Sequence, residues 1–134
     1  MPREAPDTLL VRAAEDLASA GLALPHGVLA SIACFHAQQA VEKCIKAALG
    51  QAGVTYPRNH DVAYLAALLP GGHERLREAA MAASWLTVFA AQARYGGTAE
   101  RASEADAGLA MQAAEAVVEA LRLDAGLEVI RLTL

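Results

Sequence analysis

Five stretches of this chain repeat apolar residues at intervals of three and four, the spacing that lines one side of a helix. The first runs from Thr8 to Ala20, with Asp7 as N-cap, Gly21 as its C-terminal stop, and Leu10, Ala13, Ala14 and Leu17 along one face. Pro25, His26 and Gly27 interrupt the chain before the longest stretch, Val28 to Leu49. A loop from Gly50 to Arg58 leads to a short third helix, Val62 to Leu69, for which Asn59 or Asp61 can serve as cap; Pro70, Gly71 and Gly72 end it. A fourth helix is expected from Glu74 to Arg94, with Leu76, Ala80, Ala83, Leu86 and Ala90 inward and Met81, Trp85 and Val88 in an adjoining stripe. Gly96 and Gly97 stop it. The fifth begins at Ala99 or Ser103 and runs to Leu121, with Leu109, Ala113, Ala116, Val117, Ala120 and Leu121 expected to be buried. From Leu127 to Leu134 the pattern changes to period two, an extended tail able to lie over the helices or to pair with another chain.

The second helix carries two patterns at once. Leu29, Ala33, Ala37, Ala40, Val41, Cys44 and Ala48 fill a broad apolar arc, while His36, Gln39, Glu42, Lys43 and Lys46 occupy the opposite one. Toward the N-terminus the polar stripe is continued by Val28, Ile32 and Phe35. A helix apolar nearly all round at one end and polar on one side at the other has two partners to meet: the core of a bundle, and a second subunit or further element.

Short connections between amphipathic helices predict an all-α, up-and-down antiparallel bundle of about five helices, a single domain over residues 1–134 with 127–134 as its extended tail. Composition agrees: 33 of 134 residues are alanine, the best helix former and a poor strand former, which also predicts close packing between helix axes. With 55% apolar and 19% charged residues the chain is not a disordered one. A net charge of −4 gives no global field that would gather nucleic acid. No apolar run is long enough to span a bilayer, and the charged start at Arg3, Glu4 and Asp7 stands where a secretory signal needs apolar residues, so a cytoplasmic chain is expected. Cys34 and Cys44 lie roughly 15 Å apart along one helix, too far for a disulfide, and read as small buried thiols.

The motifs of metal, nucleotide-loop and serine-nucleophile chemistry are missing. There is no HExxH, paired CxxC, phosphate loop or GxSxG, and His26, His36, His60 and His73 are scattered. No metal site and no cofactor is expected. Three constellations remain. Gln39, Lys43 and Lys46 point the same way from the second helix, with Glu42 beside them and four residues from Lys46; the stripe is either a solvated face with a weak ion pair or half of an anion site. Arg58 and His60 precede a helix N-terminus, where anions are favoured, though Asn59 and Asp61 suffice as caps. Arg94 and Tyr95 close the fourth helix, where the arginine complements the helix dipole and the tyrosine either covers the bundle end or stacks on a base.

The run ACFHAQQAVEKCIKA over Ala33–Ala47 resembles the central helix of the higher eukaryote and prokaryote nucleotide-binding (HEPN) domain family, whose members show an AxxxAQQAxEKxLKA-like run. The likeness continues in order through a glycine-containing loop, a Pro-x-x-His-Asp element at Pro57–Asp61, and an Ala-Arg-Tyr element at Ala93–Tyr95, over about residues 7 to 122. Gly96 stands where the family usually has proline. The Arg-x4–6-His spacing of its ribonuclease members is absent, since Arg58 and His60 are separated by one residue.

The resemblance implies a helical bundle, commonly a homodimer, that often accompanies a minimal nucleotidyltransferase in toxin–antitoxin-like pairs and for which nucleotide binding is the namesake proposal. The reading that follows is a non-catalytic module for a nucleotide, another phosphate-bearing ligand or a partner. Lys43, Lys46, Arg58, His60 and Arg94 would supply charge, and Gln39 and Tyr95 hydrogen bonds and stacking. Two alternatives stand beside it: a metal-independent ribonuclease acting on RNA through His60 and Arg58, and an interaction protein with no ligand of its own.

Overall fold

The structure, a computed structural model, describes residues 4–92 and 101–133. Among the described residues there are six α-helices: α1 (Pro6–Ala23), α2 (Ala30–Gln51), α3 (Val62–Ala67), α4 (Glu74–Ala82), α5 (Val88–Gln92) and α6 (Glu104–Ala125). Single 3-10 turns over Gly27–Leu29 and Ser84–Thr87 lead into α2 and α5. The fold is all-helical, as expected, with α2 as a central rod that touches every other helix.

Chain direction follows from named contacts. Pro6 at the start of α1 lies against Gly50 near the end of α2, and Asp16 in mid-α1 bonds to His36 and Lys43, so α1 and α2 are antiparallel. The start of α4 is tied to the end of α6, where Asp124 accepts the Leu76 N–H and pairs with Arg75. The segment before α6 is tied to the start of α2 by the Ala102 N–H donated to the Ser31 hydroxyl. Helices α1 and α4 therefore run one way and α2 and α6 the other, an up-and-down bundle.

Alanine sets the closeness of the packing. Ala33, Ala37, Ala40, Ala47 and Ala48 on α2 are fully buried, and Ile45, Leu49, Leu65, Leu76, Leu86 and Leu121 fill the space between helices. Cys34 and Cys44 are free thiols in this core; burial pushes Cys34 up to about 11 and Cys44 up to about 12.

Several local expectations are corrected. Ala5, not Asp7, stands at the N-cap position of α1, and Pro6 with its preset φ opens the helix, leaving Asp7 in the first turn. Gly21 does not stop α1, which continues to Ala23. The single helix expected from Glu74 is broken. The Ala83 N–H reaches both the Ala79 and Ala80 carbonyls, the ladder tightens to 3-10, and the Thr87 hydroxyl accepts the Val62 N–H. In α6 the expected inward face holds toward the C-terminus, where Val117, Ala120 and Leu121 are buried, and fails before it. Leu109 is 55% exposed and Ala116 exposed, while Ala107, Ala110, Ala114 and Val118 are buried instead. Ser103 is its cap, in a reciprocal pair with Asp106, and the helix runs on to Gly126, whose φ of 66° is the left-handed stop. The tail does extend over the bundle: Val129 is buried and Arg131 forms a two-pronged pair with Glu115 of α6.

Candidate functional site

Two carboxylates organise the polar face of α2. Asp16, carried on the inner stripe of α1, accepts from Lys43 Nζ at 2.5 Å and bonds His36 Nδ1 at 2.9 Å. Glu42, on α2 itself and only 4% exposed, accepts from Lys46 Nζ at 2.9 Å, from Gln38 Nε2 at 3.0 Å and from His60 Nδ1 at 3.0 Å. His60 comes from the loop that enters α3, whose N-terminus is capped by Asp61 through the Ala63 and Tyr64 N–H groups. Asn59 in turn accepts the Asp61 N–H, so the loop's conformation is set by its own side chains.

Two glutamines join the carboxylates. Lys43 Nζ donates to Gln39 Oε1, Gln39 Nε2 to Gln38 Oε1, and Gln38 Nε2 to Glu42. Every donor in this chain points from the Lys43 cation toward the Glu42 anion, so each bond polarises the next. Gln38 also donates to the His60 carbonyl at 3.4 Å, and Lys46 Nζ lies 5.9 Å from the centre of the buried Tyr56 ring. Burial raises the Glu42 carboxyl, but hydrogen bonding and charge from Lys46, with bonds from Gln38 and His60, outweigh it and hold the group below the ordinary carboxylate value.

The residues singled out from sequence separate into groups. Lys46 and His60 meet on Glu42; Gln39 and Lys43 meet each other and reach the first pair through Gln38. Arg58 is exposed and makes no hydrogen bond or ion pair among the described residues. Arg94 and Tyr95 lie outside the described residues. Sequence reasoning missed Asp16 and Gln38. Each was legible as an anomaly: Asp16 sits between Ala13, Leu17 and Ala20 on a buried stripe, and Gln38 stands among Cys34, Val41 and Ile45. A polar side chain inside such a stripe needs a partner, which is a signal in itself. Glu42 was expected on a wet face and is buried; its partners from α2 and the His60 loop are what make that burial tolerable.

Chemically the face is balanced. Asp16 and Glu42 carry the charge of Lys43 and Lys46, so with neutral imidazoles the net charge of these four groups is zero. The His60 ring, held at Nδ1 by Glu42, remains 44% exposed. Among the described residues no group of three or more His, Cys, Asp or Glu converges as a metal site, and no helix is long and apolar enough to cross a membrane.

Toward the N-terminus the apolar continuation of this side is open to solvent, with Val28 in the turn that leads into α2 88% exposed and Ile32 48% exposed. Phe35 is half-buried and packs edge-on against the His36 ring at 5.1 Å.

A family model described as the HEPN domain matches residues 7–124. The crystal structure of an archaeal HEPN homologue superposes with a TM-score of 0.66 at 21% identity, covering 90% of this chain and 97% of the other. No curated protein matches the chain.

Proposed function

We propose, from the premise that this chain belongs to the HEPN domain family, that it is a non-catalytic binding module of a two-component, toxin–antitoxin-like pair with a minimal nucleotidyltransferase. The exposed start of α2, around Val28 and Ile32, is its contact surface, both for a second copy and for that partner. One observation carries the reading: Val28 and Ile32 are exposed at the end of a helix whose remaining polar side chains are held by an internally neutralised network. Apolar anchors beside a charge-balanced polar field suit a docking surface, because little charge must be stripped of water to cover it. A free phosphate, by contrast, would have to take Lys43 or Lys46 from its carboxylate.

The nucleotide reading is supported at one point. Arg58, exposed and without an ion pair among the described residues, stands two residues from His60, whose ring bonds the carboxylate that Lys46 also holds. A phosphate-bearing ligand entering there meets a guanidinium that costs no existing bond.

Two measurements test this. Co-expression with a minimal nucleotidyltransferase encoded beside the chain should give a complex that Ile32→Glu disrupts while the isolated variant stays folded. Failure to co-purify, with a monomer by light scattering, overturns the proposal. Titration calorimetry with common nucleotides should show a weak exothermic interaction lost in Arg58→Ala, and absence of heat at millimolar nucleotide removes the ligand half alone.

A further inference from the structure

A second surface runs along the edge of the buried stripe of α1, where Leu10, Ala14 and Leu17 meet the extended tail, and is independent of the start of α2. Two hollows of about 430 and 550 Å³ lie end to end between α1 and the extended tail. They share Ala14, Ile130 and Leu132, so they form one groove. Its apolar walls are open: Val11 is 60%, Leu22 56%, Ile130 71% and Leu132 50% exposed. From Val11 to Leu22 the groove follows α1 for roughly 16 Å, three helical turns.

The rim of the first hollow is acidic. Asp7, Glu15 and Glu128 line it, and none of the three forms a salt bridge among the described residues. The cations nearest in sequence are already committed, Arg12 to Glu4, Arg122 to Glu119 and Arg131 to Glu115. With no salt-bridge partner among the described residues, Asp7, Glu15 and Glu128 leave an acidic rim beside exposed leucine, valine and isoleucine.

We propose that this groove docks a cationic amphipathic helix of a partner protein. Charge decides the occupant. A second copy related by a two-fold axis would bring this acidic rim against itself, and like charges facing one another oppose that pairing. A helix with leucine-like residues on one side and lysine or arginine along its edge places apolar side chains against Val11, Leu22 and Ile130, and its cations beside Asp7, Glu15 and Glu128. Ala14 and Ala18 on the floor let its axis approach closely.

The test uses the full chain and a fluorescent Leu/Lys amphipathic peptide of about four turns, with the Leu/Glu peptide of the same pattern as control. Anisotropy should show binding of the lysine peptide alone, and amide shift changes should cluster in α1 and residues 127–133. Glu15→Lys should weaken binding at least about tenfold. Glu78→Lys, the same charge change on exposed α4, should leave it unaltered; equal weakening by both variants would trace the attraction to net charge and overturn the proposal. It also falls if the lysine peptide does not bind, or if Val11→Glu turns a dimer into a monomer, which would make a second copy the occupant. All these side chains are exposed, and circular dichroism checks that each variant is folded.

Discussion

The ammonium of Lys43 on α2 lies 2.5 Å from Oδ2 of Asp16 on α1, 27 positions away along the chain. Their side chains are 17% and 12% exposed, so the pair sits at the seam between the two helices and not out on the surface. A lysine that periodicity places on a wet stripe is in this way part of what holds α1 to α2.

Breaking that pair leaves the other charge largely out of water. Lys43→Ala and Asp16→Asn should each lower the unfolding free energy by about 2 kcal/mol, less than for a fully buried pair because some solvent reaches this one. Urea unfolding of the two variants and the double variant measures it, and the double should cost less than the sum. A Lys43→Ala protein as stable as the parent would return this lysine to the role of a free ligand-binding cation.

Glu42 makes stability depend on pH. Its carboxyl is held below its ordinary value of 4.5 in the folded chain, so the unfolded state binds the extra proton first. The stabilisation is complete above pH 4.5 and is lost as pH falls through the lower folded value. Thermal melts of the parent should steepen in their pH dependence below pH 4.5, and those of Glu42→Gln should be lower at neutral pH and flatter in acid.

Arg58 and Lys46 should separate under mutation. Arg58→Ala removes an exposed side chain that pairs with none of the described residues and should change stability by less than about 0.5 kcal/mol, while reducing any nucleotide affinity. Lys46→Ala strips the buried Glu42 of its main cation and should lower the melting temperature clearly. If Arg58→Ala melts early, the loop arginine is structural.

Both thiols should resist labelling at neutral pH. Cys34 and Cys44 are buried and their ionisation is pushed up to about 11 and about 12, so little thiolate is available to react. A thiol reagent should modify neither in the native chain and both after denaturation. Because the unfolded thiols ionise nearer 9, stability should also fall as pH rises from there toward the folded values.

Alanine packing predicts the cost of size. Ala40 is fully buried on α2, so Ala40→Leu should destabilise by about 1–3 kcal/mol in urea unfolding. Ala40→Asp, which buries a charge without a partner, should leave the chain unfolded.

How much of this was legible depended on how local the cause was. Helix stretches, the Asp61 and Ser103 caps and the inward side of α2 follow from residues within a turn or two of one another, and all can be read along the chain. The phase of the first half of α6 could not. Alanine is apolar but small, so with Ala105, Ala107, Ala110, Ala113, Ala114 and Ala116 all available the pattern fits more than one face there, and Leu109 points to the wrong one, whereas Val117, Ala120 and Leu121 are inward as expected. Only the neighbours on α2 and α4 select among them. The same holds for charge. The Glu42–Lys46 pair is a four-residue relationship on one helix, visible in the sequence, whereas Asp16 with Lys43 and Glu42 with His60 join residues far apart in the chain. By itself, then, the sequence determined an all-helical bundle, the caps of α3 and α6 and which residues carry charge. Tertiary structure decided which of those charges are spent on one another, because ion pairing is set by distance in space, and the packing of α1 and the His60 loop against α2 creates those distances.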